Sequence, residues 1–218
     1  MSGRYEEAHS LLATARLYVI SADGVPAEQA RVLCEAIDGG AGIVQLRNKS
    51  LSPAGLLHAA RLVSAHARAH GAVFIVNDDP SLAAAAGADG VHLGQDDGDL
   101  ASARRRLPLG ALVGRSTHSL EQAAEAVEAR ADYLGVGPVH ATPTKPGRPA
   151  VGLPLVGAVA AAVEIPWFAI GGIDCLNIAE VQAAGASRVA VVRAVCSAAD
   201  PRAAAEDLAS RLTVEALV

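Results

Sequence analysis

The chain has 218 residues, 51% of them hydrophobic and 19% charged, with a formal net charge of −5. That length suits one compact domain burying about 70% of its extended-chain surface, and the acidic balance argues against a general nucleic-acid binder, which needs a basic face. Three widely spaced cysteines, Cys34, Cys175 and Cys196, include no CxxC pair, so neither a disulfide framework nor a thiolate metal site is indicated, and they read as small buried hydrophobes.

Residues 1–16 read as a polar leader or short helix without the apolar core of a signal peptide. No stretch has the charge-free apolar length that a bilayer span requires. A cytoplasmic protein without a membrane or nucleic-acid partner is expected, with residues 17–218 forming its one domain.

Leu17 to Ile20 is an apolar run closed by Ser21-Ala22-Asp23-Gly24, a strand followed by a turn. Pro26 to Asp38 carries apolar residues at helical spacing, and Gly39-Gly40 stops it. The second strand, Ile43 to Leu46, continues into Arg47-Asn48-Lys49. Alternation puts Gln45, Arg47 and, if the chain stays extended, Lys49 on one side, with Val44 and Leu46 facing helices. An unpaired guanidinium there would cost several kcal/mol, so an anionic partner is implied: a neighbouring strand's Asp, or a phosphate.

Two later runs end in acids. Val73 to Val76 leads into Asn77-Asp78-Asp79, and Val91 to Leu93 into Gly94-Gln95-Asp96-Asp97. If these strands are parallel neighbours joined by the alanine-rich helix between them, Asp78 and Asp97 share one sheet edge and could share a hard cation such as Mg²⁺. The plainer reading is that Asp favours turns and helix caps.

Leu112-Val113 opens a fifth strand, with Gly114 to His118 read as a hydroxyl-rich turn. Ser116 there could bond a phosphate, Ser119 caps the next helix, and His118 is a loop histidine. The sixth strand leads to Gly137-Pro138 and then to residues 141–150, whose three prolines make a shaped loop and candidate lid. Trp167 to Ile170, with Trp167 and Phe168 as core or helix-facing residues, ends in Gly171-Gly172. Val189 to Val192 ends in Arg193. Backbone N–H groups after these last two strands would form a phosphate cup.

One grammar recurs at Gly40-Ala41-Gly42-Ile43, Gly87-Ala88-Asp89-Gly90, Arg130-Ala131-Asp132-Tyr133 and Gly185-Ala186-Ser187-Arg188, each a helix turning tightly into a strand. With the other apolar runs this makes about eight strand–helix units, the count of a closed (β/α)₈ barrel, the α/β TIM-barrel fold. An open doubly wound sheet is the alternative, but its glycine-rich nucleotide turn is not found after the first strand. No Ser-His-Asp set, HExxH or Walker loop occurs. The inventory suits a metal and bases acting on a phosphate-rich substrate.

The motifs QLRNK, VNDD, HLGQDD, GRSTHS, VGPVHATPTKPG, FAIGGI and VAVVRAV, in that order, resemble the thiamine-phosphate synthase family from about Leu17 to Val195. The resemblance implies a (β/α)₈ transferase of thiamine biosynthesis that joins a pyrimidine diphosphate to a thiazole phosphate, plain or carboxylated. It implies that Gln45, Leu46, Arg47, Asn48, Lys49, Asn77, Ser116 and Lys145 bind the pyrimidine diphosphate. Among these, Arg47, Lys49, Ser116 and Lys145 would be catalytic. Asp78 and Asp97 would hold one Mg²⁺ per subunit, and Thr142, Pro143, Thr144, Gly172, Val192 and Arg193 would bind the thiazole phosphate. Asn48 stands where the family often has an acid, and Arg193 where many members have Ser. A thiazole tautomerase-like paralogue and a non-catalytic binding barrel are the rival readings, and a homo-oligomer is left open.

Overall fold

The computed structural model describes residues 2–142 and 149–213. Its strands are β1 Leu17–Ile20, β2 Ile43–Leu46, β3 Val73–Asn77, β4 Gly90–Leu93, β5 Leu112–Thr117, β6 Tyr133–Val136, β7 Trp167–Ile170 and β8 Val189–Val191. The helices are α1 Ser2–Thr14, α2 Pro26–Asp38, α3 Pro53–Ala69, α4 Pro80–Ala86, α5 Leu100–Arg106, α6 Leu120–Glu128, α7 Gly152–Ala162, α8 Ile178–Ala183, α9 Arg193–Cys196 and α10 Pro201–Thr213. Local chemistry sets several helix starts. Proline opens the first turn of α2, α3 and α4, and the side chains of Ser52, Asp79, Asp99 and Ser119 accept hydrogen bonds from N–H groups that would otherwise be orphaned.

All eight strands pair in parallel, each with its sequence neighbour, and β1 also pairs with β8, so the sheet closes. Followed once around, the pairing advances by two residues at each of β3, β5, β6 and β7, a total stagger of eight. Eight strands with that shear are a TIM barrel.

Strand alternation divides the apolar residues into two cores. Leu17, Val19, Val44, Leu46, Phe74, Val76, Val113, Leu134 and Trp167 point outward against the helices. Tyr18, Ile20, Ile43, Val73, Ile75, Leu112, Tyr133, Phe168 and Ala190 point inward, joined from below by Ala8, Leu12 and Ala15 at α1. Thus α1 closes the barrel floor, where the strands begin. Arg4 fastens it, donating to the Gly87 carbonyl and pairing with Asp89 at 2.8 Å, and His9 bonds the Gly110 carbonyl at 3.0 Å.

Three expectations need correction. β5 does not stop at Val113 but runs through Thr117, because Gly114 and Ser116 are inward positions where small or polar residues fit. β8 ends at Val191, and Val192 is the cap of the short helix α9 instead. The three cysteines are free and half-buried rather than fully buried. Among the described residues no helix is long and apolar enough to cross a membrane.

Candidate functional site

The strand ends converge on the open mouth of the barrel, and the sequence-predicted residues that the structure describes are placed by their elements. Gln45, an inward residue of β2, is fully buried and donates to the Tyr18 hydroxyl. Tyr18 meets the Tyr133 hydroxyl at 3.2 Å, Tyr133 meets His92 Nδ1 at 3.2 Å, and His92 Nε2 meets Ser116 Oγ at 2.9 Å. A continuous polar chain therefore crosses the barrel from β2 to β5, lying on a layer of apolar side chains. Burial pushes the Tyr18 and Tyr133 hydroxyls well above the ordinary tyrosine range, so both stay protonated.

The crossing depends on glycine. A Cβ on Gly114 would lie 2.2 Å from the Tyr133 ring and 2.6 Å from His92 Nδ1. Only a missing side chain lets those two rings meet.

Beyond Leu46 the chain leaves the strand and loops over β1. Arg47 Nη1 pairs with Asp23 at 3.2 Å, and the same carboxylate accepts the Lys49 N–H at 2.9 Å. The Arg47 guanidinium thus meets an Asp from beside the neighbouring strand, the protein partner weighed above. Lys49 does not continue the alternation of β2. It reaches across to Asp78, with Nζ 3.4 Å from Oδ2. Asn48 turns the other way, donating to the Gly24 carbonyl and to Gln29 Oε1, so its amide shapes the loop. Leu46 is buried against the helices, which leaves only its backbone for any ligand contact.

Asp78 and Asp97 lie side by side. Asn77 ends β3, half-buried, and the next residue adopts the left-handed conformation (φ +62), a departure that costs about 1–3 kcal/mol for a residue other than glycine. Burial first, then the hydrogen bond and like charge of Asp97, raise the Asp78 carboxyl above its ordinary value, while Lys49 draws it back. Asp97 is held by the Gly94 N–H at 2.8 Å. Asp79 caps α4, and Asp96 is an exposed loop acid.

A cavity of about 330 Å³ opens under the ends of β5 to β8 and β1, and neither acid is among the residues of its wall. Its wall includes Ser116, Thr142, Gly172, Val192 and Arg193, together with His92 and His118. His118 Nδ1 bonds the Gly137 carbonyl, which fixes its ring toward the cavity. Gly171 and Gly172 both have positive φ, and the Gly172 carbonyl accepts from Asn177. Pro143, Thr144 and Lys145, and most of the proposed 141–150 lid, lie outside the described residues.

Sequence reasoning does not single out Tyr18, Asp23, His92 or Tyr133. His92 carried a legible signal, a polar residue at an inward position of an otherwise apolar strand. The two tyrosines did not, since an inward Tyr reads as core.

The thiamine monophosphate synthase family model (TMP-TENI) matches residues 17–195. The chain is 50% identical over 188 residues to a thiamine-phosphate synthase of Mycolicibacterium smegmatis, covering 82% of this chain and 83% of that one. It is 51% identical over 178 residues to one from Thermus thermophilus, covering 81% and 85%. The fold resembles a solved thiamine phosphate pyrophosphorylase from Pyrococcus furiosus, with a TM-score of 0.84 at 35% identity over 93% of this chain and 97% of that one.

Proposed function

The chain belongs to the thiamine monophosphate synthase family and has thiamine-phosphate synthase activity, and from the geometry of the barrel mouth we propose how its residues divide that work. The reaction joins a hydroxymethylpyrimidine diphosphate to a thiazole phosphate and releases pyrophosphate. The carbon–oxygen bond to diphosphate breaks, and a bond from the thiazole nitrogen to the same methylene carbon forms. The nucleophile belongs to the substrate, so the protein needs positioning and charge stabilisation more than a reactive side chain.

Arg47, Lys49 and Lys145 take the diphosphate, with Arg47 held by Asp23 and Lys49 poised over Asp78. Ser116 and Gln45, the two ends of the polar chain, orient the aminopyrimidine, with Asn77 beside them. The backbone at Leu46 and Asn48 completes that loop. Thr142, Gly172, Val192 and Arg193 receive the thiazole phosphate at the cavity, where Arg193 adds a charge to the backbone donors, and Pro143 and Thr144 are assigned to the same phosphate by the family resemblance alone.

Asp78 and Asp97 fit a hard cation: an all-oxygen pair whose like charge already raises the proton affinity of Asp78. Mg²⁺ bound there would neutralise diphosphate charge as the group departs. The free thiols of all three cysteines support a cytoplasmic, reducing setting.

The observation that carries this reading is the juxtaposition of Asp78, Asp97 and Lys49 where β2, β3 and β4 end. Pyrophosphate release with Mg²⁺ and both substrates, and with each omitted in turn, is the test. Release that needs all three supports the assignment, and release without the thiazole phosphate or without Mg²⁺ contradicts it.

A further inference from the structure

On the opposite face of the barrel, where helices end and strands begin, Asp38 closes α2 and His66 and His70 occupy the end of α3. One ligand atom from each of these three residues lies within 4.8 Å of the other two. We propose that Asp38, His66 and His70 bind a borderline transition-metal ion, Zn²⁺ in the first instance, at a site separate from the carboxylate pair of the mouth.

The geometry begins with helical spacing. Residues four apart share a face of α3, so the two imidazoles stack, with centroids 4.0 Å apart and planes at 20°. Both present Nε2 to one carboxylate oxygen, Asp38 Oδ1, at 2.7 Å from His66 and 3.8 Å from His70.

The tautomer of His70 follows from its other nitrogen. Its Nδ1 lies 2.9 Å from the His66 carbonyl, which can only accept, so Nδ1 carries a proton. In the neutral ring the lone pair is then on Nε2, and 3.8 Å is too long for that atom to be spent on a hydrogen bond to Asp38. An imidazole anchored by a carbonyl with its second nitrogen presented to a shared point is how metal-binding histidines are held.

The local field favours a cation. The negative ends of the α2 and α3 dipoles meet here, and Glu35 lies one turn before Asp38 on α2. The neighbouring Cys34 thiol registers that field, held at about 11 by burial first and then by Asp38 and Glu35. Two imidazole nitrogens and one carboxylate suit Zn²⁺, with metal–ligand distances of about 2.0–2.2 Å and a coordination position left for water. Mg²⁺ prefers oxygen donors, so the two sites select different metals. Bound metal would tie the end of α2 to the end of α3 on either side of β2, far along the barrel axis from the reacting groups. Its effect is therefore on stability.

The experiment uses chelator-treated full-length protein resupplied with saturating Mg²⁺, then titrated with Zn²⁺ and separately with Co²⁺. We expect one Zn²⁺ per chain, a raised unfolding temperature, and a visible Co²⁺ spectrum with nitrogen ligation. Asp38→Asn, His66→Gln and His70→Gln should each weaken Zn²⁺ by about 100-fold or more, the upper range for losing even an outer-shell partner. They should also abolish the thermal gain while Mg²⁺-dependent turnover stays unchanged. His70→Gln changes an exposed residue and keeps the test valid should the others perturb folding. Zn²⁺ affinity within threefold of wild type in His70→Gln, or no Zn²⁺ bound by the wild-type chain, overturns the proposal.

Discussion

Lys49 Nζ stands 3.4 Å from Asp78 Oδ2, so a cation from the loop after β2 rests against an acid at the end of β3. With Asp97 on its other side, Asp78 is the junction between the basic and acidic halves of the mouth. Both neighbours would exchange partners when a metal and a diphosphate arrive.

Removing either acid should therefore affect turnover and not folding. Asp78→Asn and Asp97→Asn are each expected to reduce kcat/KM by about 100-fold or more, comparable to losing a metal partner. Neither should lower the unfolding temperature, because each substitution relieves like-charge repulsion. Steady-state pyrophosphate release with a Mg²⁺ titration, alongside thermal melts, checks both halves.

The raised Asp78 carboxyl gives a pH prediction with a definite sign. The folded chain keeps this proton to a higher pH than the unfolded chain does. The group's contribution to the stability of metal-free protein is therefore present on the acid side and is lost as pH rises through its raised value. Mg²⁺ must displace that proton, so Mg²⁺ affinity should climb across the same window. Carboxyl ¹³C NMR should place the Asp78 midpoint above the ordinary carboxylate value and lower it in Asp97→Asn. A midpoint insensitive to Asp97 would refute the coupling.

Gly114→Ala tests the crossing of the barrel interior. Its new methyl meets the fully enclosed Tyr133 ring and the buried His92 ring beside it. A loss of about 1–3 kcal/mol by urea denaturation is expected, as for other overpacked cores. Displacement of His92 should carry Ser116 with it, so the KM for the pyrimidine diphosphate should rise as well.

Tyr133→Phe keeps the ring and deletes the hydroxyl that joins Tyr18 to His92. Leaving those buried groups short of a partner should cost about 1–3 kcal/mol. Tyr18→Phe with Tyr133→Phe should cost less than the two single losses combined, and strict additivity in the double-mutant cycle would argue against a connected chain.

Asp23→Ala removes the acceptor that holds both the Arg47 guanidinium and the Lys49 backbone. A charge-assisted bond contributes about 1.5–3 kcal/mol, so the KM for the pyrimidine diphosphate should rise roughly tenfold or more with kcat less affected. A lowered KM would mean that Asp23 competes with substrate for Arg47.

What could be read from the sequence was what depends on one strand at a time. Strand-ending acids located Asp78 and Asp97, and alternation turned Gln45 inward and Leu46 outward. Contacts between strands were not legible in this way. The Tyr18–Tyr133–His92 chain requires the register of nonadjacent strands, and Asp23 matters only because the loop after β2 folds back over β1. β5 was read too short because its inward positions, Gly114 and Ser116, lack the apolar signature by which strands are recognised. Inward positions near a barrel mouth are small or polar because they face buried rings, as Gly114 does, or the cavity, as Ser116 does.

The floor of the barrel has a consequence for the order of events in folding. α1 precedes all eight strands in the chain, yet its anchors at Gly87, Asp89 and Gly110 lie 83 to 101 residues further along. This helix must therefore wait until β3 to β5 exist before it has a seat. In refolding followed by pulsed hydrogen exchange, the amides of α1 should gain protection after those of β3 and β4; earlier protection would mean that the helix is held by contacts of its own.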